Sequence, residues 1–277
     1  MSTVTQPAVI KNEPAAAYHA AKGVSRSQLW KFRERRQFAT MQQSELEQSD
    51  SMRLGSLVHS MIENGGNMPY DFAEVPEQFV TDSGALSKSK AAKLWLSDQE
   101  SLGVQVATGE DVRKARIISN ELRLLLCDMP MELAIHERSI YWIDEESGLA
   151  CKCRPDILLI GASEIACIDI KTAKASDPHA FTLSCETYGY HMQQAHYEAG
   201  ISAAYGKPIT WLFAVCETVE PYAAAMYRID SEQAEAARVQ WRCVLTDYAN
   251  AKSDNDYVNP WHKFINTIKP RKYALEA

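Results

Sequence analysis

The spacing of apolar positions changes about halfway along the chain. Residues 1–17 carry Pro7, Pro14 and several alanines without any period, the pattern of a poorly ordered tail. A helix is predicted from Ser25, a suitable N-cap, with Leu29, Trp30 and Phe32 following on an amphipathic start. Residues 51–63 place Leu54, Leu57, Val58 and Met61 at helical spacing, and Gly65-Gly66 ends the run. Residues 64–90 are punctuated by Gly, Pro, Ser and Asp and predict a long surface excursion. Residues 109–128 predict another helix, with Val112, Ala115, Ile118, Leu122 and Leu125 inward.

From residue 139 the period becomes that of strands. Residues 139–144 are rich in β-formers, Glu145-Glu146-Ser147-Gly148 makes a turn, and residues 149–154 return as the second arm of a hairpin. Residues 156–160 and 165–170 are short, strongly apolar runs, as expected of central strands buried on both faces. Helical spacing resumes over 188–204. Residues 209–215 and 222–229 are strand-like, and a last helix opens at Asp230 or Ser231 with Ala237, Trp241, Val244 and Tyr248 on one face. The order predicts an α/β core with a helical N-terminal portion.

Length narrows the organisation. At roughly 150 residues per domain, 277 residues allow one enlarged domain. We take residues 18–277 as that domain, with a helical part over 18–130 and a core over 131–250. No apolar run reaches the ~18 residues of a membrane span, and the N-terminus lacks the basic start and apolar stretch of a secretory signal. The net charge of −7, from 29 Lys and Arg against 36 Asp and Glu, argues against a body coated in basic charge. It leaves room for a basic groove. Seven cysteines are most simply reduced thiols in a cytoplasm.

Candidate chemistry concentrates in Arg154-Pro155-Asp156 and, twelve residues later, Asp169-Ile170-Lys171. Asp169 and Lys171 are two apart on a strand, so their side chains leave one face while Ile170 points to the other. Asp156 starts the preceding strand, where a short connection brings it alongside Asp169. Two carboxylates so placed repel, and a divalent cation removes the repulsion. Oxygen ligands favour Mg²⁺ or Mn²⁺. A water on such an ion is acidified and, with Lys171 beside it, can attack a phosphodiester.

Pro155-Asp156…Asp169-Ile170-Lys171 resembles the PD-(D/E)xK motif of the restriction-endonuclease-like nucleases. Gly55-Ser56-Leu57-Val58-His59 resembles the G-x-x-x-H helix of the RecB-like and phage-type exonucleases, and Gln193-Gln194-Ala195-His196-Tyr197 their Q-x-x-x-Y helix. The run 151–156 and the Ser25-Arg26-Ser27 opening resemble the RecE (exonuclease VIII) nuclease domain. The motif order spans about residues 18–230. The resemblance implies a restriction-endonuclease-like core, a central mixed β-sheet flanked by helices. It implies a Mg²⁺-dependent exodeoxyribonuclease, of bacterial or phage origin, that degrades one strand of linear duplex DNA 5′-to-3′ and leaves 3′ single-stranded tails for recombination. It further implies that His59, Asp156 and Asp169 hold metal, as two ions, with the Ile170 carbonyl adding a ligand. Lys171 would position water, Gln193 would assist, and Tyr197 would support the helix. Glu137 is a candidate upstream carboxylate, with Glu132 its competitor, and Arg53 a candidate grip on a 5′-phosphate. Each has a plainer reading: His59 or Tyr197 as packing, either glutamate as solvated, Arg53 as a surface arginine. Physically, Gly55 four residues before His59 lets the helix approach the sheet. Relatives form trimeric or tetrameric rings around DNA, and some act with a single-strand annealing protein.

Other chemistries find less support. Residues 200–208 resemble a Walker loop, but the spacing is one residue too long and Pro208 replaces the Ser or Thr, so no NTP site is expected. The cysteines show no C-x-x-C spacing. A non-catalytic DNA-binding or assembly module of the same fold, and an endonuclease of the same superfamily, remain alternative readings.

Overall fold

A computed structural model describes residues 7–39, 50–82, 84–259 and 261. Its elements are β1 (Ala8–Ile10), α1 (Ala15–Ala20), α2 (Arg26–Glu34), α3 (Asp50–Glu63), β2 (Phe72–Glu74), α4 (Lys90–Ser101), β3 (Gln105–Ala107), α5 (Gly109–Leu125), β4 (Ile135–His136), β5 (Ser139–Ile143), β6 (Ala150–Cys153), β7 (Ile157–Ile160), β8 (Ile165–Ala173), α6 (Pro178–Tyr188), α7 (Tyr190–Tyr205), β9 (Ile209–Glu217), β10 (Ala224–Tyr227) and α8 (Ser231–Asp254). Local signals set several boundaries. Ser25 caps α2 in a full capping box with Gln28. Asp177 caps α6 with Pro178 in its first turn, and Asp230 caps α8.

The centre is a mixed five-stranded sheet in the order β10-β9-β8-β7-β4, with β8 and β9 parallel and the other pairs antiparallel. Helices flank it, as in the restriction-endonuclease-like fold. Alternation along β8 separates two cores. Ile165 and Cys167 join a cluster with residues of α2, α7 and α8, whereas Ile168 and Ile170 join one with residues of α3 and α5. The polar pair Asp169 and Lys171 continues the first face.

Two segments differ from the sequence expectation. Residues 7–17 are not an unstructured tail: β1 pairs antiparallel with β5, and α1 follows. Residues 1–6 lie outside the described residues. The tie is Lys152, whose buried ammonium donates to the carbonyls of Tyr18 (2.7 Å), His19 (3.1 Å) and Ala21 (2.7 Å). These are the free carbonyls at the end of α1. Second, the stretch 64–90 contains β2, which pairs in parallel with β3 and buries Phe72. The hairpin β5-β6 forms as expected, and it builds a separate sheet with β1.

That second sheet explains α7, which is packed between the hairpin on one side and β9 on the other. The helix forms where its spacing predicts, and its polar residues are unusual in that Gln193, Gln194, His196 and Glu198 are all buried. Each has a partner, as burial requires. Gln194 Nε2 donates to Glu198 Oε1 (2.8 Å), and Arg238 Nε donates to Glu198 Oε2 (2.8 Å). Gly200 permits the close approach: a Cβ there would meet the Trp142 ring at 2.6 Å and the Cys153 sulfur at 2.8 Å. The same residue begins the stretch that resembles a Walker loop, and it lies within a helix.

Two expectations follow from α7. Gly200→Ala is expected to lower stability by about 1–3 kcal/mol through overpacking, measured by urea unfolding. His196 Nε2 lies 3.0 Å from the Lys152 carbonyl and Nδ1 accepts from Trp241 Nε1 at 3.0 Å, which suits only the neutral ring. Burial accordingly pushes its pKa down to about 4. The unfolded chain, with a histidine near 6.5, then binds the extra proton first. His196 stabilises fully above that value, and its contribution is lost as pH falls toward 4, by up to about 1.4 kcal/mol per pH unit. The unfolding free-energy difference between wild type and His196→Gln is expected to shrink over this window. A difference independent of pH would contradict the buried neutral ring.

Candidate active site

The site forms where β7 and β8 lie side by side next to the end of β4. Pro155 and Asp156 lead into β7, and the register Ile157↔Ile168 brings Asp156 alongside the middle of β8. One carboxylate oxygen, Oδ2, accepts the Ile170 N–H at 2.7 Å. The other, Oδ1, faces His59 Nδ1 at 3.5 Å. Asp169 and Lys171 leave β8 on the α7 side and pair with each other. Gln193 Nε2 donates to Asp169 Oδ1 at 2.5 Å. Lys171 also lies over the Tyr190 ring, 4.8 Å from its centroid.

His59 comes from α3, on the opposite side of the sheet. A Cβ on Gly55 would meet Thr172 Oγ1 at 3.5 Å, so α3 does run close to β8. That is ordinary contact, and alanine would fit, so the close approach does not demand glycine. Glu137 arrives by a route that spacing alone does not disclose. It follows β4, whose His136 pairs with Ile157 of β7, and its N–H donates to the Asp156 carbonyl at 3.0 Å. Its φ of 47° is a left-handed conformation that costs a side-chain-bearing residue energy. Arg154 Nε pairs with Glu137 Oε2 at 2.5 Å and orients it. No role for Arg154 follows from the motifs in the sequence. An arginine directly before Pro-Asp was the available signal.

Electrostatics follow from this crowding. Burial raises Asp169, Lys171 pulls it down and Asp156 pushes it up again, leaving it at about 6. Burial would lower Lys171, but Asp169 and Asp156 outweigh it and hold it protonated above its ordinary value. Asp156 is driven up by burial and down, with a net lowering, by His59 and Lys171. Burial and Asp156 bring Glu137 up to about 6. Burial lowers His59, yet the Asp156 carboxylate and Glu137 bring it to about 8.

His59, Glu137 and Asp156 offer one ligand atom each, all within 4.8 Å of one another. One imidazole nitrogen and two carboxylates suit a divalent cation of the Mg²⁺ and Mn²⁺ type. Burial first, and the Asp156 carboxylate beside it, raise Glu137, and a cation would offset both. Asp169 falls outside this trio, its carboxylate engaged by Lys171 and Gln193. Ile170 presents its N–H to Asp156. Tyr197 packs edge-on against Trp211, ring centroids 5.9 Å apart. Arg53 is half exposed and pairs with Asp50 on its own helix. Glu132 lies apart from the trio, on the wall of an open cleft of about 750 Å³ that also includes Glu63, Arg123 and His136.

The strand pair, with Pro-Asp on one member and Asp-x-Lys on the next, places the protein in the PD-(D/E)xK class. The chain belongs to the family described as "PDDEXK-like domain of unknown function (DUF3799)", which it matches over residues 25–259. It is similar in structure to a "Putative exonuclease" from Eubacterium rectale, with TM-score 0.60, 12 % identity and coverage of 96 % of this chain and 98 % of that one. At that identity the likeness concerns the fold alone. A structure of SSO0001 aligns at 13 % identity over 75 % of this chain and 89 % of that one, with TM-score 0.32, too low to carry weight. No curated protein matches the chain. Among the described residues no helix is long and apolar enough to cross a membrane.

Titration with Mn²⁺ is expected to raise the melting temperature. Saturation a hundredfold above Kd contributes about 2.7 kcal/mol, on the order of 5–10 °C for a chain of this size. Asp156→Asn is expected to abolish most of that shift and Glu132→Gln none of it. An equal shift in Asp156→Asn would remove the trio as the cation site.

Proposed function

We propose that the protein is a divalent-metal-dependent deoxyribonuclease that removes nucleotides from one strand of linear duplex DNA. The observation that carries this reading is the convergence of His59, Glu137 and Asp156 with the Asp169–Lys171 pair where β7 and β8 adjoin. Family membership and the fold of the "Putative exonuclease" support it.

In this reading His59, Glu137 and Asp156 would hold a cation, and the family resemblance would add Asp169 as a ligand. The ion would be Mg²⁺, with Mn²⁺ a substitute, and by the family resemblance a second ion would be held and the Ile170 carbonyl would add a ligand. When bound, the metal supplies Lewis acidity toward the phosphate and an acidified water. The chain's own residues do the rest. Lys171 is held protonated, so it places positive charge against the phosphate oxygens as charge builds on them. Asp169 fixes the height of Lys171, and Gln193 fixes Asp169, which makes Gln193 a positioning residue. Tyr197 supports α7 from the core. Arg53 would turn from Asp50 to a terminal 5′-phosphate, for which its forked head is suited. Water's oxygen adds to phosphorus and gives up one proton as one ester P–O bond breaks, and the departing oxygen takes up one proton, so that one water is consumed per bond.

The 5′-to-3′ polarity, the 3′ single-stranded product, use in recombination beside an annealing protein, and a trimeric or tetrameric ring belong to the same proposal. A ring reconciles a net charge of −7 with DNA, since basic residues can line a hole in an acidic wall.

Linear and closed-circular duplexes incubated with Mg²⁺ separate the readings. Loss of the linear form alone is expected. Cutting of both would make the protein an endonuclease, and cutting of neither a binding module. Lys171→Ala is expected to slow cleavage by a factor of at least ~10² while DNA binding changes little. Undiminished cleavage would take Lys171 out of the mechanism.

A further inference from the structure

The α6–α7 junction carries aromatic surface that the hydrolytic residues do not use. Tyr188 ends α6 and is 56 % exposed. One face of its ring stacks on Tyr190, with centroids 5.8 Å apart and planes 30° apart. Tyr190 in turn packs against Phe181 and Phe213 of the core, at 6.0 and 6.1 Å. The ladder is thus rooted in rigid structure, and its outermost rung lies in solvent. Its inner rung is the ring beneath Lys171, so two steps of 4.8 and 5.8 Å lead from the catalytic ammonium to the exposed tyrosine.

Cations flank the same junction. The Arg26 guanidinium donates to the Tyr188 carbonyl and lies 5.7 Å from the Trp30 ring centroid. Arg33 stands over the other part of that helix face, 4.8 Å from Trp30. Trp30 itself occupies the space left by Gly189, where any Cβ would collide with the indole. The glycine, at φ 66°, lets the chain turn directly from α6 into α7 and sets Tyr188 and Tyr190 side by side. An exposed aromatic face bordered by arginines is the combination by which proteins hold unpaired nucleotides, through stacking and attraction to the backbone.

We propose that Tyr188, backed by Tyr190 and flanked by Arg26, is a stacking platform for an unpaired nucleobase next to the phosphate held at Lys171. The inference rests on the nuclease reading and adds to it that the strand end is bound frayed. The platform favours no base, because every base offers a π-face.

The test uses the full chain and a short duplex bearing a three-nucleotide unpaired tail with 2-aminopurine, in Ca²⁺ buffer and again in EDTA. Binding of wild type is expected to quench the tail fluorescence. Tyr188→Ala is expected to lose the quenching and to bind tailed DNA roughly 5- to 150-fold more weakly, while its melting temperature stays at the wild-type value because the ring is exposed. Tyr188→Trp is expected to keep both signals, and Tyr188→Leu to lose the quenching. Quenching and affinity unchanged in Tyr188→Ala would overturn the platform, as would full activity of Tyr188→Leu in this assay. Cleavage of fully paired linear DNA by wild type is measured in parallel. Cleavage without any effect at Tyr188 sinks the platform alone, whereas a wild type that neither binds nor cuts DNA sinks the nuclease reading with it.

Discussion

The two oxygens of Asp156 serve different partners, one the neighbouring strand and the other a helix, and the site depends on that division. Oδ2 accepts from the Ile170 backbone and locks the start of β7 to β8. Oδ1 faces His59, which α3 delivers from the other layer. A buried carboxylate without such partners would be neutralised or expelled. With them it stays ionised, its pKa held down by His59 and Lys171 against burial. One residue therefore ties the strand pair, the α3 layer and, through its own carbonyl, Glu137 into a single constellation.

The α7 layer serves the same site by other means. Gln193 holds Asp169, and Asp169 holds Lys171. The chain of contacts works because α7 cannot shift. It is clasped between two sheets, and Gly200 seats it against Trp142 and Cys153. His196 bonds it to Lys152 and Trp241, and Lys152 in turn ends α1. A line of satisfied buried polar groups thus runs from the N-terminal segment to the helix that carries Gln193. Rigid support of this kind is what a preorganised charge needs.

Much of the fold was legible because the cues were local. The Ser25 cap, the face of α3, the hairpin and the apolar runs of β7 and β8 all appear as residue types at fixed spacing. So did Asp169 and Lys171 on one face of β8. What escaped notice had no period to show. β1 and β2 are three residues each, and they are strands only because β5 and β3 lie beside them. α4 buries little beyond Ala92, so it presents almost no apolar stripe. The spacing predicts α7 as a helix, but not that it is buried on both sides, since its residues are a mixture of polar and apolar.

By itself the sequence determined which residues could do chemistry and the order in which they come. Carboxylate, lysine, histidine and glutamine identities are written in the chain, and strand alternation decides which of them share a face. Only the tertiary structure decided which meet. The pairing of β4 with β7 set Glu137, and not Glu132, in the trio with Asp156. It also joined Glu137 with His59 and Asp156 while Asp169 turned to Lys171 and Gln193. The reason is that strand register and helix docking are settled by burial summed over the whole core, a quantity no short motif contains.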